Sequence, residues 1–177
     1  MEECIEHVRI YTGRIINLNV DRVRLQSGRE STREYVEHRG AVAAIPVLPD
    51  GRIVFVKQYR YPVKEYLIEI PAGTIEVGED PVQTMHRELV EEIGYRAGKL
   101  EEVINYYSTP GFVTERMYIY IATELEPAKG ELDPEENIEV LYMTFEEAIE
   151  AIKRGDIKDG KTLVALALYG LSRCSDT

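Results

Sequence analysis

A mixed α+β fold, with helices packed on a largely antiparallel or mixed sheet, is predicted by three features of the sequence. Seven segments rich in Val, Ile and Tyr read as strands, and three others carry helix signals. The two kinds do not alternate as a parallel βαβ chain would. The length of 177 residues suits one domain able to bury a conventional core. Hydrophobic residues at 44% and charged residues at 30% sit near the globular average, which excludes a disordered or collagen-like chain.

The strands are expected at Arg14 to Leu25, Tyr35 to Leu48, Arg52 to Tyr61, Tyr66 to Ile70, Leu100 to Tyr107, Met117 to Glu124 and Ile138 to Met143, with Pro49-Asp50-Gly51 as a hairpin turn. Asp80 is placed as the N-cap of the first helix, Pro81 as its first residue, Gln83 as its capping-box partner and Gly94 as its stop. Thr144 with Glu147 opens a second helix through Lys153, and Thr162 to Ser172 reads as a third. On the first helix Val82, Met85, Leu89 and Ile93 form an apolar stripe turned to the core. Glu88 and Glu92 border that stripe one turn apart, while Arg87 and Glu91 point away from it and can pair with each other or with neighbouring acids.

Composition excludes several functions. The longest near-apolar runs, Ala41 to Leu48 and Leu163 to Leu171, are shorter than the ~20 residues that span a bilayer. With an acidic start, Met1-Glu2-Glu3-Cys4-Ile5-Glu6, in place of a basic signal, a cytoplasmic protein without a membrane role is expected. Cys4 and Cys174 near opposite ends, and His7, His38 and His86 without ligand spacing, argue against a disulfide scaffold or a zinc enzyme. Acidic side chains number 32 against 21 basic, and the net charge of −11 repels a nucleic-acid backbone. A small anionic substrate is compatible with that charge only if divalent cations bridge it to the protein's carboxylates.

Stacked carboxylates at the edge of a core repel one another, so something positive must compensate. An acidic helix face is commonly just a solvated one with intrahelical ion pairs. It is also what Mg²⁺ or Mn²⁺ requires, because these hard ions take oxygen ligands and keep positions for water and phosphate. The fixed residues set this helix apart from a generic Glu-rich one. Gly73, Glu79, Arg87, Glu88, Leu89, Glu91, Glu92 and Gly94 stand at the spacing Gly, five residues, Glu, seven residues, Arg-Glu, an aliphatic residue, any residue, Glu-Glu, any residue, Gly. A chance match is expected on the order of once in 10⁴ to 10⁵ such sequences.

This pattern resembles the box of the Nudix hydrolase family, with Tyr95 where that family prefers an aliphatic residue. Gln58-Tyr59-Arg60-Tyr61-Pro62, Ile68-Glu69-Ile70-Pro71-Ala72-Gly73, Pro110 sixteen residues after Gly94, and Glu135-Glu136-Asn137-Ile138-Glu139-Val140 are similar to its ADP-ribose pyrophosphatase branch. The resemblance implies a Nudix-like α/β/α sandwich with a mixed sheet and a catalytic loop-helix-loop over residues 39–177. Residues 1–38 would be an N-terminal strand segment used for dimerisation in a homodimer. It implies hydrolysis of ADP-ribose, or of a similar nucleoside diphosphate sugar, to AMP and ribose 5-phosphate with two to three Mg²⁺ or Mn²⁺ ions. A nucleoside triphosphate or dinucleotide as substrate, and a non-catalytic nucleotide-sensing module, are the alternatives.

By the same resemblance Glu88, Glu92 and the Ala72 carbonyl are the metal ligands. Glu91 and Glu79 support them, from behind or as a further ligand, and Arg87 orients the acids. Glu136 is expected to take the proton of the attacking water, with Glu139 and Glu115 behind it, and Glu115 is also placed beside the substrate. Arg60 is either a phosphate clamp or half of a salt bridge at a strand end. With no Trp in the chain, the base is expected to stack on a tyrosine, with Tyr11, Tyr35 and Tyr107 as candidates.

Overall fold

A computed structural model of the chain describes residues 1–128 and 137–175. Its contacts divide into two units, Met1–Gly40 with Tyr106–Arg116, and Ala41–Asn105 with Met117–Thr177.

The first unit is a three-stranded antiparallel sheet of β1 (Glu3–Thr12), β2 (Ile16–Arg24) and β3 (Glu30–His38), in that order. Its strands carry few buried apolar side chains, and polar pairs cross the ladder: Arg24 with Glu3 at 2.9 Å and His7 Nδ1 with Asp21 Oδ1 at 2.7 Å. The segment before β9 is stapled to β3. Val36 N–H donates to Phe112 O at 2.8 Å, Thr114 N–H donates to Val36 O at 2.9 Å, and the Thr114 hydroxyl oxygen accepts from His38 N–H at 2.9 Å.

The second unit holds β4 (Ala41–Pro46), β5 (Ile53–Arg60), β6 (Glu65–Glu69), β7 (Ala72–Thr74), α1 (Pro81–Ile93), most of β8 (Tyr95–Tyr107) and β9 (Arg116–Pro127), β10 (Glu139–Met143), α2 (Phe145–Arg154) and α3 (Gly160–Ser175). One sheet runs β7-β4-β9-β8, with β4 parallel to β9 and antiparallel to β7. The other runs β10-β5-β6 and is antiparallel throughout. All six residues of β4 are buried, as a strand covered on both faces must be. Val42, Ala44, Val54, Val56, Tyr120 and Ala122 pack with Met85, Leu89 and Ile93 of α1. Each fully buried apolar side chain of that size contributes about 1.5 to 3 kcal/mol, and this burial fixes which way α1 faces.

The α+β architecture and mixed sheet follow the sequence reading, with local differences. β1 is an additional strand, and its register shifts twice against β2 with almost every residue exposed, so no one-sided apolar pattern marks it. The expected run from Tyr35 to Leu48 is two strands broken at Gly40, whose φ of 95° turns the chain from one sheet to another. β7 is only three residues long and contains Gly73, which hides it from any propensity argument. On α1, Val82 is exposed, and the apolar stripe starts at Met85. Asp80 caps α1 by accepting from Val82 N–H at 2.9 Å, and its carbonyl accepts from the Thr84 N–H at 2.9 Å and hydroxyl at 3.1 Å; among the described residues Gln83 does not close the expected capping box. Thr144 and Glu147 close the expected capping box of α2.

Candidate active site

The site begins where α1 meets β7. β7 pairs with β4 through Ala43 opposite Ala72 and Val42 opposite Gly73, so a buried strand fixes its backbone. Glu92 is 3% exposed, and its Oε2 accepts from Ala72 N–H at 2.9 Å. One turn earlier, the Glu88 carboxylate lies against Gly73 so closely that a Cβ there would be 1.9 Å from Glu88 Oε1 and 2.0 Å from Cδ. Two carboxylates four residues apart on one helix therefore sit on two consecutive residues of one strand. The burial of Met85, Leu89 and Ile93 sets the rotation of α1 that brings them there.

Arg87 gathers the remaining acids of the helix and the loop before it. Its Nε and Nη2 donate to the two oxygens of Glu79, each at 3.1 Å, and Nη1 donates to Glu91 at 2.8 Å and lies 2.8 Å from Glu88 Oε1. The paired bonds from Arg87 hold the Glu79 carboxyl down at about 2, against the opposing effect of burial and with help from the Thr84 hydroxyl. The same bonds raise the Arg87 guanidinium above its already high value.

A second charged cluster gathers at the end of β6, three residues before β7. Glu69, at the end of β6, is fully buried and accepts from Arg60 Nε and Nη2 at 2.7 Å each, while Lys161 at the start of α3 also reaches its Oε2. Burial alone would raise the Glu69 carboxyl, but the Arg60 bonds and the Lys161 charge outweigh it and hold it below the ordinary range. Sequence reasoning places Arg60 at the site and quotes Glu69 only within a motif; Lys161 it misses. The available signal is Glu69 itself, a carboxylate between Ile68 and Ile70 in a strand with an apolar inner face.

The remaining expected residues have partners of their own. Glu115 belongs to the first unit, where its Oε1 is 3.6 Å from His38 Nδ1. That nitrogen already accepts from Gly40 N–H at 3.1 Å, so the longer contact is not a hydrogen bond. Tyr11 and Tyr107 are exposed, and the Tyr35 hydroxyl approaches Asp21 at 3.4 Å. Glu139, on β10, pairs with Lys57 at 3.4 Å. Glu136 lies outside the described residues.

No group of three His, Cys, Asp or Glu side chains among the described residues forms a ready-made metal cage. The donors at β7 nevertheless suit a hard divalent ion. Glu88, Glu92 and the Ala72 carbonyl offer only oxygen, and such an ion keeps water and phosphate oxygens in its remaining positions. The missing side chain of Gly73 is what lets Glu88 lie against the strand.

A short strand and an acid-bearing helix, locked on a mixed sheet by a buried apolar stripe, define a class of protein, and the chain belongs to it: the NUDIX domain family, whose model matches residues 37–166. Among its relatives is an ADP-ribose pyrophosphatase of Bacillus subtilis (strain 168), 41% identical over 167 residues that cover 93% of this chain and 90% of the relative. A methanol dehydrogenase activator of Bacillus methanolicus is 42% identical over 168 residues, with coverage of 93% and 90%. A solved ADP compounds hydrolase shares the fold with a TM-score of 0.87 at 19% identity, covering 99% of this chain and 95% of the other.

Proposed function

We propose that the chain hydrolyses the diphosphate bond of ADP-ribose, or of a similar nucleoside diphosphate sugar, to AMP and ribose 5-phosphate in a divalent-metal-dependent reaction. The observation that carries this reading is the seating of Glu88 and Glu92 on Gly73 and Ala72. Its similarity to the Bacillus subtilis relative supports the choice of substrate class.

Glu88, Glu92 and the Ala72 carbonyl would hold two to three Mg²⁺ or Mn²⁺ ions. When bound, such ions activate a water and neutralise the diphosphate. Arg87 orients Glu88 and Glu91, with Glu79 anchoring its other edge. Glu91 thereby serves catalysis as a support or a further ligand. Arg60 clamps the phosphates with the part of its guanidinium that Glu69 does not occupy, and Glu115 lies beside the substrate. Glu136 receives the water's proton, an assignment resting on its motif position.

We also assign residues 1–38 to dimerisation and residues 39–177 to the hydrolase domain, in a cytoplasmic homodimer. Light scattering that gives the mass of a single chain would remove the dimer.

The Bacillus methanolicus relative, named for activating another enzyme, favours a second reading in which the chain acts as a regulatory module. One experiment separates the two. ADP-ribose, ADP-glucose, GDP-mannose, NADH and dATP are incubated with the protein in Mg²⁺ and in Mn²⁺, and the products are resolved. AMP and ribose 5-phosphate as the dominant products support hydrolysis of ADP-ribose. Preferred cleavage of NADH or dATP replaces the substrate, and binding without turnover of any member leaves the regulatory reading.

A further inference from the structure

Glu69 faces two cations where one would balance it. Arg60 donates to both of its oxygens at 2.7 Å, and Lys161, only 12% exposed, meets Oε2 from the side of α3. At that point the three charges sum to one positive. Of the two further anions whose charge reaches Arg60, Glu92 and Asp159, the second lies 3.1 Å from Lys161 on the helix side. There it accepts from the Thr162 N–H at 3.0 Å and hydroxyl at 2.7 Å, so its charge is spread over the start of α3.

A buried carboxylate matched to one arginine makes a closed neutral pair whose field is largely spent. With Lys161 sharing the carboxylate, Arg60 retains positive potential. Its Nε and Nη2 edge is fixed by Glu69, its side chain is 39% exposed, and Nη1 has no partner among the described residues. The charge of Glu92 also acts on it.

The cluster is continuous with the segment on which the acids of α1 are seated. After Glu69, Ile70 N–H donates to the Thr162 hydroxyl at 3.0 Å, Pro71 O accepts from Ala44 N–H at 3.0 Å, and Ala72 N–H donates to Glu92 at 2.9 Å. Four successive residues are thus held by α3 with β5, by α3, by β4 and by α1.

We propose that Lys161 is a positioning residue for the diphosphate: by sharing Glu69 it holds Arg60 edge-on and keeps that guanidinium free to bind an anion. The proposal rests on the reading of Arg60 as a phosphate clamp. Lys161 itself touches no substrate; it acts through Glu69.

The test is steady-state kinetics of the full chain with ADP-ribose and Mg²⁺, using Lys161→Met, Lys161→Arg, Arg60→Lys and the Lys161→Met/Arg60→Lys double variant, with a melting curve for each. Lys161→Met should raise KM about tenfold with kcat within about twofold, and Lys161→Arg should restore most of it. The double variant should have the KM of Arg60→Lys alone, because Lys161 works only through Arg60. An unchanged KM in Lys161→Met at a lowered Tm, or additive effects in the double variant, overturns the proposal and leaves the clamp standing. A wild-type KM in Arg60→Lys removes the clamp itself. If Lys161→Met does not fold, Lys161→Gln, which retains a donor, carries the same comparison with the same deciding outcomes.

Discussion

At Gly73 the backbone has no room for a side chain, and what a methyl group would strike is the mobile end of Glu88 rather than main chain. Gly73→Ala should therefore leave the fold nearly intact and push the carboxylate off the strand. Turnover is expected to fall at least about tenfold while Tm moves by only a few degrees; an alanine variant as active as the parent would show that the seat of Glu88 does not matter. Glu92→Gln tests the neighbouring seat differently. The amide oxygen can still accept from Ala72 N–H, so the fold is kept and only charge is lost, with turnover down roughly a hundredfold. Near-normal activity at saturating Mg²⁺ would end its role as a ligand. Glu79 gives a pH signature. Its carboxyl is depressed from an ordinary 4.5 to about 2, so its pairing stabilises the fold fully above 4.5 and the benefit disappears as pH falls through about 2. The Tm difference between the parent and Glu79→Gln should be largest near neutrality and shrink between pH 4.5 and 2. A difference independent of pH over that range would contradict the pairing.

At the scale of elements, α1 carries Arg87, Glu88, Glu91 and Glu92 together, so its start is both a structural and a functional boundary. Asp80 supplies the cap, with the Val82 bond from its side chain and the Thr84 hydroxyl on its carbonyl. Asp80→Ala should cost about 1 kcal/mol, or about 2 to 4 °C in Tm for a chain of this size. Because the buried stripe from Met85 to Ile93 still fixes the helix against the sheet, catalysis should suffer less than stability. A cap variant with unchanged Tm but lost turnover would reverse that order. The element most easily overlooked is β7. Three residues with a glycine among them make a strand only because β4 offers a finished edge, and both acids of α1 are then read against it.

Across the whole molecule the net charge of −11 sets the terms. Acids gathered at the core border are tolerated in the protein alone because Arg87, Arg60 and Lys161 are placed among them, and bound divalent ions would relieve them further. Millimolar Mg²⁺ should therefore raise Tm, most clearly with a non-hydrolysed substrate analogue present, and EDTA should reverse the effect. A melting curve indifferent to Mg²⁺ and analogue together would count against a preformed site.

The sequence by itself determined the class of fold, the limits of α1, the start of α2 and the box with its acids, because each is written in local spacing: a cap, a 3.6-residue period, a four-residue interval. Tertiary structure alone decided the rest. β1 has no apolar face to betray it, β7 exists only as a partner of β4, and the run through Gly40 splits because its two halves join different sheets. Arg60 could be read as a clamp or as half of a salt bridge. Its bond to Glu69 spans nine positions, but the share that Lys161 takes comes from 92 positions away, and a charge partner so distant in sequence is chosen by packing, which no local pattern records.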